Sequence, residues 1–221
     1  MLSLPTSYAE PATHQADSVS EIAGRVVWGK RLLDLLIATL AMLLVMVWLV
    51  PLLSIVIRLT SPGPALFVQL RTGRNGRLFR CLKFRTMSYE PNAQFKQATK
   101  NDCRVTRIGA VLRKTNLDEL PQILNVLRGD MSVVGPRPHP IALDAQHWHT
   151  LPHYPSRYTV KPGITGLAQV RGHRGETAQL IDMAHRVRLD RLYIQKQSVW
   201  LDLKICWWTA TSMIKGDKKA C

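Results

Sequence analysis

Acid is scarce in this sequence: 15 Asp and Glu stand against 30 Lys and Arg, leaving a formal charge of +15 over 221 residues. That balance points to an anionic partner, whether nucleic acid, anionic lipid or a phosphate-bearing substrate, and does not choose among them. Cysteine is sparse too. Cys81, Cys103, Cys206 and Cys221 are scattered with no C-x-x-C pair, which leaves no disulfide framework and reads as reduced thiols in a cytosolic setting. His147 and His149 form an H-x-H without a surrounding ligand cluster, so a surface or loop role is the plainer reading than zinc. Residues 1–24 lack apolar periodicity and the basic start of a signal peptide, and are expected to form a disordered tail. No internal repeat is present.

What the sequence does have is one long apolar run, from Leu35 to Ile57, relieved only by Thr39, Ser54 and small alanines. About 20 such residues suffice to cross the hydrocarbon core as a helix. Two features complicate a simple span: Pro51 lies inside the run, and both flanks are basic, with Lys30 and Arg31 before it and Arg58, Arg71, Arg74 and Arg77 after. An interior proline removes a backbone bond and kinks a helix, and positive residues prefer the cytoplasmic side. A re-entrant helix-break-helix over residues 25–60, turning at Pro51, lets both flanks stay on that side. An ordinary span with its N-terminus outside remains the other reading.

Residues 61–221 then form the body. Asn75-Gly76 between the apolar runs Ala65–Leu70 and Leu78–Arg85 signals a β-hairpin, whose second strand places Lys83 and Arg85 on one side and Leu82 and Phe84 on the other. Paired cations there are either a solvated face or the lining of a phosphate site. Residues 88–103 read as a polar excursion, Arg104–Lys114 as a helix, and Asp130–Pro138 as a short strand entering a rigid turn at Arg137. Tyr158–Gly172, which holds Lys161, combines a Gly-Pro loop with a short strand. Residues 178–196 and about 198–214 read as helices, the last with Trp200, Trp207 and Trp208, which suit a bilayer interface or packing against the core.

Between these lies Lys114–Asp130, a short helix opening on two carboxylates, Asp118 and Glu119. With Asp118 as N-cap, Pro121 falls in the first turn, Leu120, Ile123, Leu124 and Leu127 face a core, and Gly129 supplies the stop. Capping is the bland account of the two acids. A carboxylate nucleophile or metal ligand acting on a phosphoryl group, with Arg and Lys neutralising phosphate charge, is the sharper one.

Taken in order, Lys30-Arg31-Leu32-Leu33-Asp34, Lys83-Phe84-Arg85-Thr86-Met87, Leu117-Asp118-Glu119-Leu120-Pro121-Gln122, Gly135-Pro136-Arg137-Pro138, Lys161-Pro162-Gly163-Ile164-Thr165-Gly166 and the Trp-rich last helix resemble the bacterial sugar transferases, the monotopic polyprenyl-phosphate phosphoglycosyl transferases. The resemblance implies an α+β, mostly helical fold: a re-entrant membrane helix plus a small cytosolic catalytic domain with interfacial amphipathic helices and a short β-hairpin. It also implies the short catalytic form, on the cytoplasmic face of the bacterial inner membrane.

The implied reaction passes sugar-1-phosphate from a UDP-sugar donor, UDP-glucose or UDP-galactose being favoured, to undecaprenyl phosphate, releasing UMP and initiating exopolysaccharide or another lipid-linked glycan. Asp118 would form an aspartyl phosphosugar and Glu119 would bind Mg²⁺. Lys83, Arg85, Arg113, Arg137 and Lys161 would bind phosphate or substrate, and Pro51 would break the membrane helix. Inner-membrane lipids and downstream glycosyltransferases are the implied partners, and nucleic acid is not. Exchanging one phosphoanhydride for another needs no ATP, in keeping with the lack of a P-loop. The segment Arg171–Thr177 resembles that of members using UDP-glucose or related hexoses. A basic membrane anchor without catalysis, and a hydrolase using the same carboxylates with water, are the competing classes.

Overall fold

A computed structural model of the chain describes residues 28–90, 99, 102–173, 175 and 179–215. The expected tail, and Arg174, Glu176 and Thr177, lie outside the described residues.

The apolar run folds as one helix, α1 (Trp28–Thr60), the only described helix long and apolar enough to cross a membrane. At 33 residues it is about 50 Å long. It does not break at Pro51. The chain stays helical through the proline, and a π turn at Met42–Met46, closed by Val47 N–H donating to Met42 O, lies just ahead of it. Within that widened turn the Trp48 indole donates to Leu44 O at 2.7 Å. The helix-break-helix expectation is corrected to one helix carrying two irregularities.

One stripe of α1 packs along the body for much of its length: Ala38 and Met46 join the main core, and Ile57 joins a second cluster with Ala65, Phe84 and Leu112. The other faces expose Leu32, Leu36, Leu43, Leu44, Trp48, Leu52 and Ile55. Both ends are fastened by polar bonds. At the start, Lys30 Nζ reaches Asp202 at 2.7 Å and Val134 O at 2.8 Å, Arg31 donates to Val126 O and Leu127 O, and Asp34 accepts from Ser132 and from Val133 N–H. Lys30 is therefore buried. At the exit, the Arg85 guanidinium gathers Ser61 O, Pro62 O and Ile57 O.

The hairpin forms as expected. β1 (Leu66–Thr72) pairs antiparallel with β2 (Leu78–Phe84), Phe67 opposite Lys83 and Arg71 opposite Phe79, around a turn in which Asn75 and Gly76 take positive φ. The outer edge of β2 is closed by one side chain: Asn125 accepts from Leu82 N–H and donates to Arg80 O. Next come α2 (Arg107–Thr115), a 3₁₀ turn (Leu117–Glu119) and α3 (Gln122–Arg128), which Gly129 ends at φ 92°. Arg104, expected within the helix, precedes it and pairs with Asp102.

β3 (Ser132–Val134) and β4 (Gly163–Thr165) form a second, parallel pair. Between them run α4 (Ile141–His147) and a 3₁₀ segment (Tyr154–Thr159), neither anticipated. After β4 come the short α5 (Leu167–Val170), then α6 (Leu180–Lys196) and α7 (Val199–Lys215). On α7, Trp200 and Trp207 are largely exposed while Asp202 and Ile205 are buried. The described chain is mostly helical with two small sheets.

Candidate active site

Asp118 and Glu119 sit in the 3₁₀ turn, not at the cap of α3, whose N-cap is Pro121. The reason is local. Asn116 takes φ 59° and ends α2, so the chain reverses at once into a tight turn with Glu119 N–H bonded to Asn116 O and Leu120 N–H to Leu117 O. Pro121 lacks an N–H, so α-type bonding starts only after it. Both acids are buried, at 8% and 5% exposure, and buried carboxylates require partners.

Glu119 has its partners. Lys83 Nζ donates to Oε1 at 2.9 Å, and Arg137 grips the carboxylate with both terminal nitrogens, Nη2 to Oε1 at 2.5 Å and Nη1 to Oε2 at 3.1 Å. Such a fork fixes orientation as well as charge. Asp118 lies close enough to favour the charged forms of Lys83 and Arg137. Burial lowers the Lys83 pKa and outweighs the opposing pull of Glu119. Burial also acts against the charged Arg137, but Glu119 reverses the balance and the net shift is upward.

Each cation arrives by a separate route. Lys83 comes from the face of β2 that carries buried Phe79 and Cys81, and Arg137 from the Pro136–Pro138 turn after β3. Arg113, in the last turn of α2, donates from Nε to Thr86 Oγ1 at 2.9 Å, which ties that helix to the segment after β2. Asp118, Glu119, Lys83 and Arg137 thus converge. Arg85 and Lys161 do not. Arg85 lies past the end of β2 and is spent on the exit of α1. Lys161 stands beside Gly129 with Arg31 close by, at the end of α3 away from the carboxylates.

Sequence reasoning missed the layer behind Arg137. Arg157, 1% exposed, donates to Arg137 O, to Asp190 and to the His139 ring, and lies over the Tyr154 ring. Arg186 reaches the other His139 nitrogen and the carbonyls of His173 and Gly175. Burial, then Arg157 and Arg186, push the His139 pKa well below its usual value, so the ring is neutral. Asp144 accepts from Thr72, Tyr154 and Tyr158. The sequence signal for this layer is slight, the clustering of Tyr154, Arg157 and Tyr158 within one short stretch.

Among the described residues no group of three or more His, Cys, Asp or Glu side chains converges to hold a metal alone. The site offers two adjacent carboxylates, a donor set that suits Mg²⁺, which commonly takes one or two carboxylates and fills the rest of its octahedron with water and substrate phosphate. Glu119 would share its oxygens with Lys83 and Arg137.

A buried acid pair held in a basic frame, beside an apolar helix, defines a class. The family model of the bacterial sugar transferases matches residues 25–216, and the chain belongs to that family and is a transferase. A basic anchor without chemistry is thereby set aside.

Over 189 residues the chain is 49% identical to the UDP-glucose:undecaprenyl-phosphate glucose-1-phosphate transferase of Caulobacter vibrioides, covering 85% of this chain and 70% of the relative. It is 48% identical over 181 residues to the protein of the same name in Escherichia coli, covering 81% of this chain but only 39% of the relative. With the exopolysaccharide production protein PSS of Rhizobium leguminosarum it shares 42% identity over 194 residues, covering 86% and 96% of the two chains.

Proposed function

We propose that this chain transfers glucose-1-phosphate from UDP-glucose to undecaprenyl phosphate and so initiates exopolysaccharide assembly at the cytoplasmic face of the inner membrane. The observation that carries the reading is the Lys83–Glu119–Arg137 clamp beside buried Asp118, together with the names of its relatives.

Asp118 attacks the phosphorus that bears glucose. The new bond is carboxylate oxygen to phosphorus, the bond broken is the phosphoanhydride, and UMP leaves with its electron pair. A phosphate oxygen of undecaprenyl phosphate then attacks the same phosphorus, giving undecaprenyl diphosphate glucose and regenerating Asp118. A carboxylate is a poor nucleophile toward an anionic diphosphate unless the charge is offset. Lys83 and Arg137 supply that offset, and Glu119 keeps both aligned. Held by Glu119, Mg²⁺ would neutralise diphosphate charge and support the departing UMP.

The membrane reading rests on α1. A helix crossing the bilayer leaves its ends on opposite sides, whereas both ends of α1 bond to one body through Lys30, Arg31 and Asp34 at one end and Arg85 at the other. Both irregularities, the π turn and Pro51, lie between those anchors. This supports a helix that enters and returns to the same face. Exposed Trp200 and Trp207 suit the interface.

The test is nucleotide release by membranes containing the protein, supplied with UDP-glucose, UDP-galactose or UDP-N-acetylgalactosamine, Mg²⁺, and undecaprenyl phosphate or none. UMP that requires the lipid and disappears in Asp118→Asn is the expected result. Release of UDP would mean glycosyl transfer and would end the aspartyl mechanism.

A further inference from the structure

The segment that presents Arg137 has little means of holding itself. Pro136 and Pro138 lack the N–H groups that a strand or helix would use, yet the arginine between them must keep a two-point grip on Glu119. Its three consecutive carbonyls are each held by a different part of the chain. Gly163 N–H donates to Pro136 O at 2.9 Å, Arg157 Nη2 to Arg137 O at 2.8 Å, and Arg71 Nη1 to Pro138 O at 2.6 Å.

Two of those donors are buried guanidinium groups, costly choices for holding a neutral carbonyl. Arg157 is offset by Asp190 at 2.7 Å. Arg71, 8% exposed, has no ion pair among the described residues: its Nη2 bonds the neutral Gln69 Oε1, and its Nε is buried with no hydrogen-bond partner. Stability alone is served better by an apolar side chain at such a place. What this guanidinium does achieve is reach. It spans from β1 to Pro138 O while its own backbone bridges to Pro140, bracketing the turn that follows Arg137.

We propose that Arg71 and Arg157 are positioning residues for phosphoryl transfer: they pin the Pro136–Pro138 backbone so that Arg137 stays in register with Glu119, and they act through Arg137 without touching substrate. The inference deepens the reading given above and rests on Arg137 and Glu119 forming the reaction site.

Arg71→Lys is the decisive variant. It keeps the charge and removes the unpartnered Nε, but a single amine cannot bond Pro138 O and Gln69 Oε1 as the fork does. With UDP-glucose and undecaprenyl phosphate, Arg71→Lys should lower kcat/KM about 10- to 100-fold, the scale of a misplacement near 1 Å. In an Arg137→Ala background the same substitution should change kcat/KM by less than about twofold, because the group it positions is gone.

Losses that multiply across the two backgrounds, or an Arg71→Lys enzyme within about twofold of wild type, would overturn the proposal. Arg157→Lys is run in the same cycle, and if it fails to accumulate as folded protein, Arg71→Lys decides. A wild type silent with every donor would instead count against the proposed reaction. The cycle is then read on UMP affinity by calorimetry, where Arg71→Lys should weaken binding only when Arg137 is present, and equal weakening in both backgrounds would reject it.

Discussion

At Lys83 two effects oppose each other: burial lowers the ammonium pKa, Glu119 raises it, and burial is the larger. The ammonium therefore gives up its proton, as pH rises, before the ordinary lysine value of 10.5 is reached, and with it goes one of the two cations that grip Glu119. Turnover should fall on an alkaline limb below that value, and Lys83→Arg should move the limb upward because a guanidinium stays charged; an unmoved limb in a pH–rate profile would assign it to another group.

His139 sets the opposite limb, for stability instead of rate. It stays neutral when folded, among Arg157, Arg186, Arg71 and Arg137, while the unfolded ring titrates near 6.5. The unfolded chain thus binds the extra proton, and stability should decline as pH drops below that value. Thermal melting in detergent should show the decline, reduced in His139→Gln.

Arg85, though part of the same sequence motif as Lys83, should behave differently: Arg85→Ala should lower the melting temperature while leaving UMP affinity nearly intact, and a large affinity loss would return it to the substrate site. The four converging residues were singled out through the family resemblance, since their own stretches left capping and a solvated face open. Arg71 and Arg157 were not, because their role depends on which carbonyl each meets across the fold.

Elements were legible in proportion to how much of their stability is local. The hairpin was, since Asn75-Gly76 dictates its turn, and so were α6 and α7 from their length. Strands β3 and β4 were legible as short strands within Asp130–Pro138 and Tyr158–Gly172, but their parallel pairing was not, because it joins Ser132 to Gly163 across a long intervening stretch that local pattern does not register. The 3₁₀ turn at Asp118 was misread as a helix start because a left-handed Asn116 is invisible to apolar spacing.

One element contact invites a direct test. Gly109 lets α2 lie against the segment after β2, and a Cβ there would come within 2.0 Å of Thr86 O. Gly109→Ala should cost about 1–3 kcal/mol of stability by forcing the two apart. It should also reduce turnover, since the Arg113–Thr86 bond joins the same pair. Melting and rate measured on one preparation check both.

For the whole molecule, the proposed re-entrant topology can be tested because both ends of α1 are fastened to one body. With native cysteines replaced by alanine, a single cysteine at Trp28 and another at Arg77, both exposed, should each resist an impermeant maleimide in intact cells and react in inverted vesicles. Labelling at position 28 from outside would mean that α1 spans the bilayer.

The bond between Lys30 and Asp202 also orders events in time. Its partners stand 172 residues apart, so at about 5–20 residues per second the ribosome needs roughly 10–30 s to deliver the second after the first. During that interval Lys30 lacks Asp202 and Val134 O, and Asp34 lacks Ser132 and Val133 N–H. Docking of the start of α1 on the body is therefore completed only after Asp202 on α7 has been translated. Chains truncated before Asp202 should therefore leave the start of α1 loosely held, open to limited proteolysis where the full chain resists it.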